Sequence, residues 1–293
     1  MNYYDEIKKE LLNNEITKKV KNYSINKSDL TTYYNIGKLL KEAGKHYGEG
    51  IIKEYSKRLT SEFGKGYTMT NLKYFRQFYV FSKSHTVCDQ LSWSHYRTLL
   101  SLSDENTIEY YIKIIIEQNL SVRELRKRIK SNEYERLDEE TKNKLKNKEE
   151  LKVPDLVKNP IQIKNKSGHN EISEKILQKL ILEDIPSFLK ELGNGFCFID
   201  NEYKIKIGDR YNYIDLLLFN IEYNCYVVIE LKVTELKKEH IGQIEFYMNY
   251  IDQNLKNINQ NKTIGIIICK KENKYVIEYC SDDRIIAREY ELI

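Results

Sequence analysis

The sequence predicts an α+β protein of two domains: a mostly α-helical N-terminal domain with a helix-turn-helix-like pair, and a C-terminal α/β domain around a central mixed sheet. Three observations lead to this prediction. The hydrophobic period is helical in the first half of the chain and changes to short strand-like runs in the second. A charged stretch low in apolar residues, 136–167, separates the two halves. The length of 293 residues is also typical of two domains. We therefore expect domains at 1–135 and 168–293, joined by a charged linker.

The composition is that of a soluble globular protein, with 41% hydrophobic and 31% charged residues. The longest apolar runs are far shorter than the roughly 20 residues of a membrane span. The first 15 residues carry charge throughout and lack the apolar core of a secretory signal. The cysteines are odd in number and form no C-x-x-C pair: Cys88, Cys197, Cys225, Cys269 and Cys280. This pattern argues against a disulfide framework or a zinc site and predicts a cytoplasmic protein with no membrane partner.

The net charge of +4 is unevenly distributed along the chain. Residues 1–160 carry 30 Lys and Arg against 23 Asp and Glu, whereas residues 161–293 carry 18 against 21. A basic first half is typical of a domain that meets a polyanion. The same excess is also common in proteins that never bind nucleic acid, so the charge favours this partner without establishing it.

The first domain contains a helix-turn-helix-like pattern. Apolar positions three and four residues apart predict helices at 3–22 and 29–43. A third amphipathic helix follows and ends at Gly64 and Gly66, a helix C-terminus signal. Thr70 is the predicted N-cap of a fourth helix. Helix, glycine-containing turn and helix together are typical of a helix-turn-helix.

The fourth predicted helix has an apolar and a polar face. Its inner face carries Leu72, Phe75, Phe78 and Tyr79. Its outer face carries Asn71, Lys73, Arg76 and Gln77. Residue types such as Asn, Lys and Arg contact phosphates and base edges, so Asn71, Lys73 and Arg76 are candidate nucleic-acid contacts. An ordinary helical hairpin with a solvated polar face fits the pattern equally well.

A second cationic helix is predicted in the segment SVRELRKRIK at 121–130. It begins with a capping box from Ser121 to Glu124. Its cationic side carries Arg123, Arg126, Lys127, Arg128 and Lys130. This side either binds phosphates or is a solvated face, and the sequence favours neither. Between the two cationic helices, His95 lies among aromatic residues and is interpreted as a structural histidine.

The second domain has the mixed period of an α/β layer. A helix is predicted over 171–192, with a split at Pro186. The strands are predicted at 195–200, 203–208, 212–219, 225–232, 263–269 and 275–280, with a further helix at 238–251. The short segment 220–224 between two strands predicts an antiparallel hairpin.

Three charged residues interrupt the apolar strands of this hairpin. They are Asp215 in YIDLLLF, and Glu230 and Lys232 in YVVIELK. A buried charge is costly unless it is paired or binds a metal. Counting back from a five-residue loop places Asp215 and Glu230 near each other on adjacent strands, where the two carboxylates repel unless a cation lies between them.

Two aligned carboxylates and a lysine are the groups that metal-assisted phosphodiester hydrolysis needs. Carboxylate oxygens are ligands that Mg²⁺ prefers, and the backbone carbonyl of Leu231 is a further candidate ligand. A bound metal activates water, and an ammonium group beside it orients that water or neutralises developing charge. On the following helix, Gln243 and Tyr247 lie one turn apart and are predicted to face the site. A plain salt bridge at the sheet end, with Lys232 paired to one acid, explains the same spacing.

The chain also resembles a known family, the bacterial YhcG-type proteins. The resemblance runs over nearly the whole chain and rests on several stretches in one order, among them LTSEFGKGYTMTNLKYFRQFY, EQNLSVRELRKRI, YIDLLLFN, CYVVIELK and GQIEFYMNYID. These proteins join an N-terminal domain, taken as helical and winged-helix-like, to a C-terminal PD-(D/E)XK nuclease domain. The resemblance therefore implies a restriction-endonuclease-like fold for the second domain.

The resemblance also implies a Mg²⁺-dependent phosphodiesterase site, in which Mn²⁺ is expected to substitute. The acidic and lysine positions of the family fall on Asp215, Glu230 and Lys232. Gln243 with Tyr247 resembles the Q-x-x-x-Y element of RecB-like members. Glu174 in the first helix of the domain is the candidate further ligand. The family pattern carries a second acid one turn later, where this chain has Gln178.

We therefore expect a metal-dependent DNA endonuclease, structure-selective or not, that acts in restriction, recombination, repair or defence against mobile elements. Two alternatives stay open at this point. One is a non-cleaving DNA-binding or complex-forming module with a degenerate nuclease fold. The other is an RNA-processing nuclease, because nothing in the residues separates DNA from RNA. A homo-oligomer is compatible with the sequence.

Overall fold

The computed structural model describes residues 2–20, 25–84, 90–280 and 282–293. The chain forms two compact units, Met1–Ser131 and Asn132–Ile293. The four cysteines within the described ranges are free, and Cys88 lies outside them. None of the helices in these ranges is both long enough and apolar enough to cross a bilayer.

The first unit is helical throughout its described residues. Its helices are α1 (Tyr3–Val20), α2 (Ile25–Tyr47), α3 (Gly50–Phe63), α4 (Met69–Ser84), α5 (Trp93–Leu99), α6 (Glu105–Gln118) and α7 (Val122–Lys130). The helices predicted at 3–22 and 29–43 correspond to α1 and α2, and residues 21 and 22 lie outside the described ranges.

The predicted turn between the third and fourth helices is confirmed. Helix α3 ends at Phe63, and Gly64 follows with φ +90°, a value that L side chains rarely adopt. A short 3₁₀ turn at Lys65–Tyr67 then leads into α4. The predicted N-cap was wrong: α4 begins at Met69, so Thr70 lies in its first turn and the extended residue before the helix is Thr68.

The inner face of α4 forms the centre of the first core, as the sequence predicts. Its four apolar residues Leu72, Phe75, Phe78 and Tyr79 are all buried. The Phe75 ring stacks on Tyr33 with centroids 4.4 Å apart. Helix α2 passes α4 so closely that a Cβ at Gly37 would lie 2.1 Å from the Phe75 carbonyl oxygen. Glycine at this position therefore permits the helix contact.

The second unit combines six helices and six strands within its described residues. The helices are α8 (Glu139–Asn147), α9 (Val153–Leu156), α10 (Glu174–Glu183), α11 (Ile185–Leu192), α12 (Lys238–Asn254) and α13 (Lys274–Glu278). The strands are β1 (Ile161–Ile163), β2 (Phe196–Ile207), β3 (Arg210–Asn220), β4 (Cys225–Leu231), β5 (Asn261–Cys269) and β6 (Ile285–Leu292).

The six strands form one mixed sheet in the order β1-β6-β5-β4-β3-β2. The β2–β3 and β3–β4 pairs are antiparallel, whereas β4–β5, β5–β6 and β1–β6 are parallel. The predicted hairpin is confirmed, with Leu216 opposite Ile229 and Asn220 opposite Cys225. One core cluster includes residues of α10 and α11 together with alternate residues of the central strands, and another includes residues of α12 and the intervening ones.

The predicted elements of this unit differ from the observed ones in three places. The helix predicted over 171–192 is split at Asp184, which accepts a hydrogen bond from Ser187 N–H and so begins α11. The two strands predicted at 195–200 and 203–208 are one strand, β2, with an irregular register near Phe198. The strand predicted at 275–280 was wrong, because Asn273 caps the short helix α13 there and Tyr275 is 75% exposed.

The segment that the sequence predicts as a linker, 136–167, contributes to the second unit. It contains α8, α9 and β1, and four of its apolar residues lie in the core cluster that includes α10: Val153, Val157, Ile161 and Ile163. Composition conceals this role, since the apolar residues are few and widely spaced among charged ones.

Three buried cations attach this segment to the rest of the unit through ion pairs and hydrogen bonds. The Arg136 guanidinium donates to Glu191 on α11 at 2.6 Å, and Arg288 on β6 donates to Asp138 at 2.7 Å. The ammonium group of Lys158 donates to the backbone carbonyls of Lys190 and Glu191 at the end of α11, at 2.9 and 3.1 Å. These cations are almost fully buried, and each has oxygen partners.

Candidate active site

The strands β3 and β4 separate at Asp215. Their backbone pairing runs from Asn220 to Leu216 and ends there. At the next position the Asp215 carboxylate accepts a hydrogen bond from the Leu231 backbone N–H at 2.7 Å. The side chain of Asp215 thus takes the place of a backbone partner. The predicted proximity of Asp215 and Glu230 follows from this geometry, because each is the first residue of its strand beyond the last backbone pair, Leu216 with Ile229.

Glu230 and Lys232 form a buried ion pair beside Asp215. Lys232 Nζ donates to Glu230 Oε1 at 2.7 Å, and the two residues are 9% and 2% exposed. The other carboxylate oxygen, Glu230 Oε2, is buried and has no hydrogen-bond partner. A plain salt bridge does not explain this unpartnered oxygen, since buried polar atoms almost always have a hydrogen-bond partner. The arrangement therefore lacks one positively charged or hydrogen-bonding partner.

Burial shifts the pKa of both acids upward. The pKa of Glu230 is raised from 4.5 to about 7, first by burial and then by the charge of Asp215. Burial also raises the pKa of Asp215, although the hydrogen bond from Leu231 opposes this. Burial alone would lower the pKa of Lys232, but its hydrogen bond with Glu230 and the nearby carboxylates outweigh burial and raise it. Two acids that resist ionisation are typical of a site that awaits a cation.

Glu174 does not form a three-acid cluster with Asp215 and Glu230, although its charge raises the pKa of both. Glu174 lies in the first turn of α10, and its Oε2 is 3.7 Å from Lys232 Nζ. Within the described ranges, no three His, Cys, Asp or Glu side chains are close enough together to hold a metal ion. Gln178, one turn further along α10, is buried and donates to the Asp215 backbone carbonyl at 3.1 Å. Gln178 therefore supports the strand that carries the acid.

The pair predicted on α12, Gln243 and Tyr247, is in hydrogen-bonding contact. Gln243 Nε2 lies 3.2 Å from the Tyr247 hydroxyl, and Tyr247 is buried. Burial raises the pKa of Tyr247, its hydrogen bond with Gln243 opposes this, and the charges of Glu230 and Asp215 raise the pKa further.

Sequence reasoning missed two residues near the acids. His240 lies three residues before Gln243, so both occupy one face of α12, and this spacing was visible in the sequence. Burial and then the charges of Lys232 and Lys237 lower the pKa of His240. Glu202 lies opposite Asp215 in the β2–β3 register and adopts φ +49°. This left-handed backbone is uncommon for a residue other than glycine, and no sequence signal announces it.

In the first unit, the candidate contacts on α4 are partly occupied. Arg76 makes a two-point ion pair with Glu49, at 2.6 and 2.8 Å. The amide group of Asn71 donates to the Gly66 backbone carbonyl at 2.8 Å. Lys73 is exposed. The partners of Arg76 and Asn71 would have to be replaced if α4 contacted a phosphate.

The cations of α7 are arranged differently. The capping box is confirmed, since Ser121 N–H donates to Glu124 at 3.0 Å and Glu124 N–H donates to the Ser121 hydroxyl at 3.3 Å. Arg128 donates to Gln118 on α6. The remaining cations are exposed, line a shallow cavity of about 460 Å³, and make no ion pair with any described residue: Arg123, Arg126, Lys127 and Lys130.

The structural interpretation of His95 is confirmed. One ring nitrogen lies 3.0 Å from the Leu120 carbonyl oxygen, and the other accepts from the Ser92 N–H at 3.1 Å. His95 is buried with both nitrogens partnered, and burial lowers its pKa. It closes the capping box of α5.

Comparison with solved structures gives matches of limited extent. A repair endonuclease from Pyrococcus abyssi is 19% identical, with a TM-score of 0.29 over 43% of this chain and 48% of that chain. The structure titled "Structure of EndoMS-dsDNA2 complex" is likewise 19% identical, with a TM-score of 0.29 over 43% and 47%. The chain thus matches about half the length of each, and we draw no functional inference from these scores.

Comparison with protein families accounts for most of the chain. Residues 7–136 match the DUF1016 N-terminal domain, and residues 154–293 match the YhcG PDDEXK nuclease domain. The protein named "Putative nuclease YhcG" from Escherichia coli (strain K12) is 24% identical over 92% of this chain and 84% of its own length. Most of the chain therefore matches two domain families in succession, a DUF1016 N-terminal domain followed by a YhcG PDDEXK nuclease domain.

Proposed function

We propose that this protein is a divalent-metal-dependent endonuclease that hydrolyses phosphodiester bonds in DNA. The observation that carries the proposal is the unpartnered, buried Glu230 Oε2 beside Asp215 and Lys232. In a nuclease family, two acids with raised pKa values at the end of a strand pair are well explained as ligands of a cation.

The donor set fits a small hard cation such as Mg²⁺. Asp215, Glu230 and the Leu231 carbonyl would hold the ion, with Glu174 as a further candidate on the exposed side. When bound, Mg²⁺ or Mn²⁺ supplies Lewis-acid activation of water and neutralises charge on the phosphate. A cation would also pair with the orphan oxygen and favour the ionised form of Glu230.

The remaining residues act on water and on the substrate. Lys232 keeps its proton, because its pKa is raised, so its ammonium group serves to hold the attacking water or a phosphate oxygen. Gln243 and Tyr247 are hydrogen-bonded to each other, and both provide hydrogen-bond donors for the substrate on the α12 side. Gln178 fixes the backbone of Asp215.

A nucleic-acid substrate is supported by cations of the first unit that no described acid neutralises, and DNA is the nucleic acid that we propose. Of these cations, Arg123, Arg126 and Lys127 on α7 are the stronger candidates for phosphate contacts, and Arg128 borders them. Asn71, Lys73 and Arg76 on α4, the helix of the helix-turn-helix-like pair, are the weaker ones. The cellular process would be restriction, recombination, repair or defence against mobile elements, with the protein acting in the cytoplasm.

The test is cleavage of supercoiled, linear and branched DNA, and of RNA of matched sequence, with Mg²⁺, with Mn²⁺ and with chelator. We expect metal-dependent cleavage of DNA, and a loss of at least about 100-fold in Asp215→Asn and in Lys232→Ala. Lys179→Ala, an exposed lysine on α10, is the matched control and should cut like the wild type.

Three results would contradict parts of the proposal. Equal cleavage by wild type and Lys232→Ala would remove the lysine from the chemistry. Cleavage of RNA alone would establish the RNA-processing alternative. Absence of cleavage together with no Mn²⁺ binding by calorimetry would favour a non-cleaving, complex-forming module.

A further inference from the structure

A two-stranded arm extends from the sheet beyond the candidate site. Strand β3 pairs with β4 only from Leu216 onward, whereas its pairing with β2 continues back to Arg210. The stretches 203–207 and 210–214 therefore form a ribbon with no third strand. We call this ribbon the arm; it begins next to Asp215.

The arm has one buried and one exposed face. Ile205 and Ile214 are fully buried in the core cluster that includes α12. The opposite face consists of two directly paired couples, Lys204 with Tyr213 and Lys206 with Tyr211. All four of these residues are exposed. We call these four residues the arm face.

The arm face combines cations that have no acidic partner among the described residues with exposed aromatic side chains. Lys204 Nζ lies 3.8 Å from the centre of the Tyr211 ring, which confirms that the two side chains share a face. Tyr211 and Tyr213 are 52% and 51% exposed. Neither Lys204 nor Lys206 makes an ion pair with any described residue. A surface that binds a single nucleic-acid strand combines cations, which contact the phosphates, with aromatic rings, on which the bases stack.

Protection of a sheet edge explains only half of this pattern. Strand β2 is an edge strand, and lysines on edge strands discourage pairing with other chains. In the arm β3 is also unpaired on its outer side, but its two residues on the arm face are tyrosines, which lack the charge that discourages pairing. Exposed rings there add apolar surface, which edge protection does not require.

The arm face lies close to Asp215 along β3. Tyr213 precedes Asp215 by two residues, so their Cα atoms are about 7 Å apart along the strand. Glu202 lies level with Asp215 in the β2–β3 register, and its charge raises the pKa of Asp215. The carboxylates of Glu202 and Asp215 thus lie at the end of the arm nearer the candidate site, and the cations of the arm face lie further along it. A strand held on the arm face would lead toward the acids.

We propose that the arm face binds an unpaired nucleic-acid strand next to the scissile phosphate, with Tyr213 stacked on a base and Lys204 and Lys206 on phosphates. Bases in an intact duplex are stacked on one another and offer no free face to Tyr213. The protein therefore prefers substrates with a single-stranded segment beside the cut, such as flaps, forks or frayed ends. This inference rests on the proposed nuclease function.

The test is fluorescence anisotropy of the full chain with labelled single-stranded DNA and a blunt duplex of the same sequence, in chelator. We expect Tyr213→Ala to bind the single strand about 10-fold more weakly and to bind the duplex unchanged. Tyr213→Phe, which keeps the ring, should bind like the wild type. Tyr279→Ala is the matched control, since Tyr279 is exposed on another element. Tyr213→Leu repeats the test if the alanine variant melts early.

Cleavage assays with Mg²⁺ on a flapped duplex then separate this inference from the proposed function. Wild-type cleavage with normal binding and cutting by Tyr213→Ala would overturn the arm-face inference and leave the nuclease intact. Tyr213-dependent binding without any cleavage would support the arm face and contradict the nuclease. Failure of Tyr213→Phe to restore binding would overturn stacking, as would absence of single-strand binding by the wild type.

Discussion

Two groups of buried charges in the second unit differ in how completely they are satisfied. Arg136 and Glu191 are 8% and 19% exposed in their side chains, and Lys232 and Glu230 are 11% and 3% exposed. Both Glu191 oxygens accept hydrogen bonds from Arg136, and one also accepts from the Gln162 N–H. In contrast, Glu230 Oε2 has no partner.

We interpret this difference as one between charges that stabilise the fold and charges that a bound ligand would complete. A buried ion pair contributes to structure only when every lone pair finds a donor. Where one oxygen is left without a donor, the protein bears the cost in its ligand-free state, and a bound cation would remove it. Burial does not distinguish the two pairs, because both are largely buried. They differ in whether each carboxylate oxygen accepts a hydrogen bond.

Breaking the satisfied pair should have the largest effect on stability. In Arg136→Leu, Glu191 stays buried without its cation, so we expect the free energy of unfolding to fall by about 3–5 kcal/mol in urea titrations. The double variant Arg136→Leu, Glu191→Leu should recover much of this loss. A double variant as unstable as the single one would show that the segment is held by other contacts.

Removing the unsatisfied charge should act in the opposite direction. In Glu230→Gln at about pH 8 without divalent metal, the unfavourable ionisation is absent, so unfolding should require on the order of 3 kcal/mol more than in the wild type. The same variant should lose cleavage. A destabilised Glu230→Gln would mean that its bond to Lys232 outweighs the effect of burial.

The pH dependence should expose the same residue. The folded pKa of Glu230, about 7, lies above its ordinary value of 4.5, so the folded state retains the proton longer than the unfolded state. Its contribution is therefore full below pH 4.5 and is lost as the pH rises through 7. Thermal melts in chelator should show this loss in the wild type and a flatter profile in Glu230→Gln. Saturating Mg²⁺ should reduce the difference.

The smallest expected effect extends the comparison to the first unit. Arg126 on α7 has no ion pair with a described residue, whereas Arg76 on α4 is paired with Glu49. If free cations contact phosphates, Arg126→Ala should lower the slope of log affinity for duplex DNA against log salt by about 0.9. Arg76→Ala should change it less. Equal slopes for the two variants would remove this distinction.

The sequence predicted the central hairpin and its three charges because both depend on local pattern. Alternating apolar residues and a short loop determine the register that brings Asp215 toward Glu230. The end of α3 was likewise predicted from Gly64. Such features require only neighbouring residues, so periodicity and turn chemistry are enough to find them.

Features that depend on distant contacts were not predicted. Strand β6 was missed, because its polar residues Arg288 and Glu289 conceal a strand whose arginine bonds to Asp138 far away in the chain. The strand-like run at 275–280 forms a helix, since no neighbouring strand accepts it. The unpartnered oxygen of Glu230 and the left-handed Glu202 are properties of packing and leave no mark in the residue types.

The order of the sheet also affects how the second unit is made. Strand β6 lies between β1 and β5, and it joins residues 129 positions apart, as in the contact between Gln162 and Glu291. During synthesis, β1 leaves the ribosome first and has no strand to pair with until residues 285–292 emerge. Such distant pairings slow folding, because a long loop must close before the contact forms. The sheet of the second unit therefore stays incomplete until almost all of its strands have been synthesised.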